Sequence, residues 1–216
     1  MFDFSNKVVL ITGASYGFGE QFAYAFAEAG ANLILTARSE DALTQVGKAC
    51  EEKGASVCVV AGDVSNEADV NAVIQAGIQQ LGKIDVLINN AGIAVFGFLD
   101  EVPFEKTLAT VNVNLIGVLN GIHASIGLIK QTPNALCFTT SSSAACFGTP
   151  GMATYGATKV AVKGLTEAMS VELARFGARA ADVSPGIIDT PLWQTGSRFV
   201  RGQSRPVRNL PALNHD

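Results

Sequence analysis

A serine, a tyrosine and a lysine in one stretch of the chain have the types and spacing of an acid–base site. Ser142 precedes Tyr155 by thirteen residues, and Lys159 follows Tyr155 by four. Residues four apart lie on one face of a helix, so Tyr155 and Lys159 are expected to point the same way. A positive charge within about 4–6 Å favours the phenolate, so Lys159 is predicted to lower the pKa of Tyr155 toward the range where proton transfer is most effective. Ser142 is placed to hold a carbonyl or hydroxyl oxygen against the phenol.

The Y-x-x-x-K pattern by itself also fits a half-buried helix aromatic beside a solvated lysine, so the surrounding elements must decide. Short apolar strands alternate with helices: strands at 8–12, 32–36, 56–61, 85–89, 135–140 and 179–183, and helices at 18–29, 40–53, 67–81, 103–129 and 154–176. This alternation predicts an α/β fold, a doubly wound, Rossmann-like parallel sheet with helices on both faces. Ligands of such sheets bind at the carboxyl ends of the strands. Ser65 is expected to cap the 67–81 helix.

A glycine-rich turn follows the first predicted strand and opens the first helix. It reads T-G-A-S-Y-G-F-G from Thr12 to Gly19. Glycines let the backbone turn tightly and approach a pyrophosphate, which the N-terminus of the helix attracts. The cofactor-binding residues predicted in this turn are Gly13, Ser15, Tyr16, Gly17, Phe18 and Gly19.

The residues after the second and third strands bear on the choice of dinucleotide. Where an acidic residue would bind the adenosine ribose of NAD(H), the chain has Ala37 followed by Arg38. A guanidinium pairs well with a 2′-phosphate, so NADP(H) is predicted over NAD(H). The alternative is that Arg38 is an ordinary surface arginine. Asp63 and Val64, after the third strand, are predicted to contact the adenine.

Composition and charge exclude several classes of function. The net charge of −4 is unevenly distributed along the chain. Residues 192–216 hold four arginines and one acidic residue, whereas the preceding part has a net charge of −7. Such an acidic body lacks the footprint of a nucleic-acid-binding protein. No apolar run approaches the ~20 residues that span a bilayer, and the four cysteines and two histidines show no metal-binding spacing. We therefore expect a soluble cytoplasmic protein without a metal, a membrane or a nucleic-acid partner.

Taken together, the motifs resemble those of the short-chain dehydrogenase/reductase family. They are T-G-x-x-x-G-x-G from Thr12, N-N-A-G from Asn89, V-N-L-I-G around Asn114, Ser142, Y-x-x-x-K from Tyr155, and Pro185-Gly186 leading to Thr190. The resemblance runs from about residue 5 to 192. It implies an oxidoreductase that transfers a hydride between NADP(H) and a carbonyl or alcohol substrate, assembled as a homodimer or homotetramer through the two long helices.

The resemblance also implies a role for each matching residue. Tyr155 would exchange the proton of the substrate oxygen, Ser142 would stabilise that oxygen, and Lys159 would bind the nicotinamide ribose. Asn114 would hold a water that connects Lys159 to solvent. Further cofactor contacts are implied for Asn90, Ala91, Gly92, Pro185, Gly186, Ile188 and Thr190. Relatives that prefer NADP often carry a basic residue where Tyr16 stands, so the predicted preference depends on Arg38.

The end of the chain departs from the family pattern. Relatives continue after the Thr-Pro segment with a helical lid, a further helix and a seventh strand, whereas residues 196–216 show no apolar periodicity. We therefore predict a dinucleotide-binding and catalytic domain at 1–192, a short, poorly ordered basic tail at 193–216, and no lid or edge strand. Five apolar residues near the expected pocket favour an apolar substrate, although each also suits core packing: Phe96, Phe98, Phe147, Met152 and Trp193.

Two other functions remain open on the sequence. The abbreviated end suits a catalytically impaired nucleotide-binding protein that serves as an interaction or regulatory module. An isomerase or dehydratase that uses the cofactor transiently is the third hypothesis. The presence of Asn114, Ser142, Tyr155 and Lys159 together favours the oxidoreductase.

Overall fold

The computed structural model describes residues 3–186, 188, 192, 196–200 and 203–206, and a six-stranded parallel sheet dominates it. The strands are β1 (Val8–Thr12), β2 (Asn32–Ala37), β3 (Val57–Ala61), β4 (Val86–Asn89), β6 (Leu136–Thr140) and β7 (Arg179–Val183). Their order across the sheet is β3-β2-β1-β4-β6-β7, and all five pairings are parallel. The predicted Rossmann-like fold class is confirmed.

Helices cover both faces of this sheet. They are α1 (Gly17–Glu28), α2 (Glu40–Glu51), α3 (Glu67–Leu81), α4 (Phe104–Val111), α5 (Gly117–Gln131) and α6 (Ala153–Ala174). Successive residues of β1 face opposite sides, as the two-residue period of a strand requires. Val8 and Leu10 belong to the core cluster that includes α3, α5 and α6, while Val9 and Ile11 belong to the cluster that includes α1 and α2. Burial on both faces explains why the strands other than the edge strand β7 read as nearly continuous apolar runs.

The cap of α3 differs from the prediction. The residue at the N-cap is Asn66, whose side chain accepts a hydrogen bond from the backbone N–H of Ala68 at 3.0 Å. Ser65 instead donates its backbone N–H and its hydroxyl to the carboxylate of Asp63, at 2.9 and 2.7 Å. Ser65 therefore orders the turn after β3 rather than the start of the helix.

The predicted helix at 103–129 is interrupted in its middle. A π-helical segment, Asn112–Ile116, separates α4 from α5. Such single-turn insertions widen a helix and are frequent at functional sites. The whole stretch Phe104–Gln131 is long and apolar enough to cross a membrane by length and composition alone, yet Ile122 and Ile129 pack into the core cluster on the sheet, as in a helix that covers a core.

In the described residues, two strands follow residue 191 where the sequence predicted none, but neither of them joins the six-stranded sheet. Strands β8 (Ser197–Val200) and β9 (Gln203–Pro206) pair antiparallel, and β8 also pairs in parallel with β5 (Val95–Phe96), which the sequence analysis missed. Phe199 of β8 is buried, and its backbone oxygen approaches Gly97. These strands are too short for a periodicity signal, because each is defined by its pairing partner.

Candidate active site

The glycine-rich turn forms a cradle at the N-terminus of α1. Gly13 has a φ of 66°, in the left-handed region that favours glycine. A Cβ on Gly19 would lie 2.1 Å from the backbone oxygen of Gly13, so only glycine permits this close approach. The free N–H groups and the dipole at the start of a twelve-residue helix suit an anionic phosphate. The residues present therefore fit the pyrophosphate of a dinucleotide.

A compact hydrogen-bond network joins this turn to the loop after β4. Thr12 Oγ1 accepts hydrogen bonds from the backbone N–H groups of Asn90 and Ala91, at 3.0 and 3.1 Å. In return, Asn90 Nδ2 donates to the backbone oxygens of Thr12 and Gly13, at 3.1 and 3.3 Å. The side chain of Asn90 thus supports the glycine turn, and the two loops form one continuous wall.

The groups expected at the adenosine end lie close enough to interact. Arg38 is exposed at the end of β2. Burial raises the pKa of Asp63, but hydrogen bonds from Ser65 and the positive charge of Arg38 together hold that pKa below its usual value. A cavity runs from Thr12 past Asp63 and Val64. A guanidinium and a carboxylate are therefore both available where the adenosine would bind.

Tyr155, Lys159 and Ser142 come together as predicted. Tyr155 and Lys159 are both buried on one face of α6, and Lys159 Nζ lies 5.7 Å from the centre of the Tyr155 ring. The Ser142 side chain lies close enough to the Tyr155 phenol to interact with it and to lower its pKa. Ser142 is itself held by the backbone N–H of Ala144, which donates to its Oγ at 3.2 Å in a short 3₁₀ turn.

The electrostatics of this group differ from the prediction. Burial raises the pKa of Tyr155, and the interaction with Ser142 lowers it only in part. Burial also lowers the pKa of Lys159 to about 8. The expected lowering of the Tyr155 pKa by Lys159 is therefore wrong for this arrangement, because the ammonium donates to the backbone oxygen of Thr140 at 2.7 Å and the phenol loses solvation. At neutral pH the phenol keeps its proton and the amine is charged.

Asn114 lies in the π-helical segment and is buried. Its Oδ1 accepts from the backbone N–H of Ile93 at 2.8 Å, and its Nδ2 donates to the backbone oxygen of the same residue at 2.9 Å. A Cβ on Gly92 would lie 3.4 Å from Asn114 Oδ1 and 3.7 Å from Lys159 Nζ. The structure therefore places Asn114 and Lys159 close to Gly92.

The remaining predicted site residues differ in their exposure and in their distance from the Ser142 turn. The backbone oxygen of Pro185 accepts from Ser143 at 2.8 Å, which places the Pro-Gly segment beside the Ser142 turn. Gly186 and Ile188 are exposed, as is Tyr16, whereas Ser15 is buried. Phe18 stacks on Phe22 within α1. Thr190 and Trp193 lie outside the described residues.

The apolar candidates for the substrate side separate into two groups. Phe96 and Met152 pack with Tyr155 in a small cluster that also contains Ala94, Ala144 and Leu192. Phe98 and Phe147 are exposed, with 60% and 65% of their surface accessible. Only the first group lies against the tyrosine. In the described part of the chain, no cluster of three or more His, Cys, Asp or Glu side chains is arranged to hold a metal ion.

Sequence reasoning missed three residues that support this site. Ser141 Oγ donates to the backbone oxygen of Lys159 at 3.2 Å, and Thr140 accepts from the lysine side chain. Thr158 bonds to both Asn114 and Tyr155. The available signal was that these residues are polar although they lie in an apolar strand and helix. Most of their hydrogen-bond partners lie in other elements, so no fixed sequence spacing indicates the pairs.

The fold and the site together define a dinucleotide-dependent oxidoreductase. The sequence profile of the family described as short chain dehydrogenase matches residues 7–199. The chain therefore belongs to the short-chain dehydrogenase/reductase family, whose enzymes transfer a hydride between a nicotinamide cofactor and a CH–OH or C=O group.

Individual relatives agree with this assignment. A protein of Lactiplantibacillus plantarum described as CLA biosynthesis dehydrogenase/reductase is 35% identical over 210 residues, which are 96% of this chain and 73% of that protein. A short-chain dehydrogenase/reductase of Burkholderia phymatum in complex with NAD is 35% identical, with a TM-score of 0.85, over 89% of this chain and 69% of that one. The 3-ketoacyl-(acyl-carrier-protein) reductase of Brucella melitensis, complexed with NADH, is 34% identical, with a TM-score of 0.85, over 90% of this chain and 80% of that one.

Proposed function

We propose that this enzyme is an NADP(H)-dependent carbonyl reductase or alcohol dehydrogenase in which Tyr155 exchanges the proton of the substrate oxygen. The observation that supports this most directly is the buried Tyr155, which lies beside Ser142 and one helical turn from a buried lysine. The nicotinamide supplies or accepts the hydride when it is bound. The remaining chemistry is the placement of the substrate and the movement of a proton.

The raised pKa of Tyr155 suits it to donate a proton during carbonyl reduction. Its phenol is protonated at neutral pH, so a hydrogen is available for an oxygen that gains negative charge. Ser142, whose Oγ accepts a hydrogen bond from the Ala144 N–H, offers a second contact to that oxygen. Lys159 is charged below pH 8 and stabilises the phenolate that remains after donation.

The proposed preference for NADP(H) rests on Arg38. Its guanidinium is exposed at the end of β2, and the chain places the neutral Ala37 before it. A charge-assisted hydrogen bond to a phosphate contributes about 1.5–3 kcal/mol, so we expect Arg38→Gln to weaken NADPH binding roughly 10- to 100-fold and to leave NADH binding unchanged. Fluorescence titration measures both constants. Lys48→Gln, which removes an exposed charge from α2, serves as the control. Equal losses for both cofactors would contradict the preference.

The substrate is proposed to be an apolar carbonyl or alcohol, because the side chains packed around Tyr155 are apolar. We expect NADPH oxidation with hydrophobic ketones and aldehydes and little with charged ones, measured at 340 nm over a panel of both. Cofactor binding without turnover on any carbonyl would support the nucleotide-binding module instead. Turnover without net NADPH consumption would support the isomerase.

The assembly is proposed to be a homodimer or homotetramer formed through α4, α5 and α6. These helices and the π-helical segment between α4 and α5 expose large apolar side chains, namely Phe104, Leu108, Ile116, Val160 and Val171. Exposed apolar residues on neighbouring helices are typical of a protein interface. Sedimentation equilibrium tests the proposal, and a monomer at micromolar concentration would contradict it.

A further inference from the structure

Thr158 links the two elements that carry the proposed catalytic residues. It lies on α6 directly before Lys159 and is 3% exposed. Its hydroxyl donates to the backbone oxygen of Tyr155 at 2.7 Å. Thr158 Oγ1 also accepts a hydrogen bond from Asn114 Nδ2 at 3.2 Å, across the gap between α6 and the π-helical segment. Because the Thr158 hydroxyl donates its proton to the Tyr155 backbone oxygen, Thr158 Oγ1 can only accept a hydrogen bond from Asn114. The Asn114 group that points to Thr158 must therefore be the amide nitrogen, which is a donor, and not the amide oxygen.

This bond completes the hydrogen bonding of the buried amide of Asn114. One N–H of Nδ2 is directed to the Ile93 backbone oxygen and the other to Thr158. Both donors are therefore used, while Oδ1 accepts from the Ile93 N–H and has the capacity to accept one further hydrogen bond. Removal of the Thr158 hydroxyl would leave a buried N–H without an acceptor, which favours rotation or displacement of the amide.

Asn114 Oδ1 and Lys159 Nζ both lie beside Gly92. Both atoms approach the position that a Cβ of Gly92 would occupy, at 3.4 and 3.7 Å. Lys159 Nζ donates to the uncharged backbone oxygen of Thr140, and Tyr155 is its titratable neighbour among the described residues. A carbonyl dipole beside Gly92 is therefore close enough to favour the charged amine in this buried place.

We propose that Thr158 is a positioning residue that holds the Asn114 carbonyl toward Lys159 and joins α6 to the π-helical segment. This inference rests on the proposed roles of Tyr155 and Lys159. Thr158 itself has no role in proton transfer, and it acts through the orientation of the Asn114 amide.

Thr166 provides a matched control on the same helix. It is also buried, and its hydroxyl donates to the backbone oxygen of Val162 at 2.8 Å. Thr158 differs in its additional bond to Asn114. Thr→Val keeps the shape of the side chain and removes the hydroxyl, whereas Thr→Ser keeps the hydroxyl and removes a methyl group. Comparing Thr158→Val, Thr158→Ser and Thr166→Val therefore separates the bond to Asn114 from the loss of an intrahelical bond or of packing.

The test measures kcat, KM and the pH dependence of kcat for these variants with NADPH and an active ketone, together with thermal unfolding. We expect Thr158→Val to lower kcat about tenfold, equivalent to about 1.4 kcal/mol in the barrier. Its alkaline limb should move to lower pH, since without the Asn114 dipole the Lys159 ammonium loses its proton more readily. Thr158→Ser and Thr166→Val should keep kcat within about threefold of the parent and leave the pH profile in place.

Three outcomes would overturn the inference. The first is a kcat and pH profile of Thr158→Val that match those of Thr166→Val, since the bond to Asn114 would then have no effect. The second is a Thr158→Ser variant as impaired as Thr158→Val, which would point to packing. The third is full activity of Thr158→Val. Tyr155→Phe is measured alongside: if it retains activity, the proposed function fails, and if it is inactive while Thr158→Val is normal, only the positioning role fails.

Discussion

The buried ammonium group of Lys159 destabilises the folded enzyme, so replacing it with an uncharged side chain should raise the free energy of unfolding. Lys159 is almost fully buried, and the groups around its Nζ include the backbone oxygen of Thr140 but no carboxylate among the described residues. Replacing it with methionine keeps a long unbranched side chain and removes the charge. We therefore expect Lys159→Met to be inactive and yet more stable at neutral pH, as is common where an active-site group opposes folding.

The structure sets the size of this effect. Burial lowers the pKa of Lys159 from 10.5 to about 8, and 1.36 kcal/mol per pKa unit makes the charged amine cost roughly 3 kcal/mol in the native state at pH 7. Methionine leaves the Thr140 oxygen without its donor, which costs about 1–2 kcal/mol. The expected net gain in the free energy of unfolding is therefore about 1–2 kcal/mol at pH 7.

The sign of this gain depends on pH. Between about pH 8 and 10.5 the native lysine is neutral while the unfolded lysine is still protonated, so the stability of the parent enzyme rises with pH in this window. The methionine variant has no such dependence, and its advantage should shrink through the window and vanish or reverse near pH 10.

Urea unfolding of both proteins at pH 7.0, 8.5 and 9.5 measures the difference. Lys163→Met, one turn further along α6, is the control: Lys163 is solvent-exposed and pairs with Glu167, so its variant should show no comparable gain. Loss of stability in Lys159→Met at pH 7, or a gain that does not change between pH 7 and 9.5, would refute the argument from burial.

Two further predictions concern the cofactor turn and the base of the sheet. Gly19→Ala should abolish nucleotide binding and lower the melting temperature, because its Cβ would lie 2.1 Å from the Gly13 oxygen. The control Gly164→Ala, at an exposed position of α6 where a Cβ meets nothing within 4 Å, should bind the nucleotide normally and gain up to about 1 kcal/mol in stability. Calorimetry with NADPH measures both variants, and equal binding by the two would contradict the role of Gly19 in the cofactor turn. Asp85 is buried against two lysines and the Val8 N–H, and although burial raises its pKa, these partners lower it overall. The ionised Asp85 therefore stabilises the protein above about pH 4, and this contribution is lost as the pH falls. In thermal unfolding, Asp85→Asn should destabilise the protein at pH 7 and much less at pH 3. An equal loss at both pH values would show that the carboxylate charge is not responsible.

The doubly wound fold was predictable because its signals are local. Apart from β7, which reads RAADV, each strand of the six-stranded sheet is a largely apolar run of four to six residues, and most predicted boundaries lie within one or two residues of the observed ones. The strands β5 and β8 were not predictable, since Val95–Phe96 is a strand only through its partner Ser197–Arg198. The π-helical segment was also missed, because an extra residue in a helix leaves the apolar pattern nearly unchanged.

The candidate site was predictable as a set of residues but not as an electrostatic arrangement. The spacing of Tyr155 and Lys159 correctly indicated that they share a face of α6. It could not show that Lys159 would bond to a strand carbonyl, or that desolvation would outweigh the effect of Ser142 and raise the pKa of Tyr155. Those features depend on burial, which arises from the packing of β6 and the π-helical segment around α6.

The central claim is that the Tyr155 hydroxyl moves the proton, and its deletion tests that claim most directly. The measurement is kcat for NADPH-dependent ketone reduction by Tyr155→Phe, with the Kd for NADPH determined on the same sample. Tyr24→Phe, which removes a hydroxyl bonded to Glu20 on α1, is the matched control. We predict that Tyr155→Phe binds NADPH normally and loses at least about a hundredfold in kcat, within the usual range for general acid catalysis, while Tyr24→Phe retains the parent rate. A Tyr155→Phe enzyme that turns over as fast as the control would contradict the account.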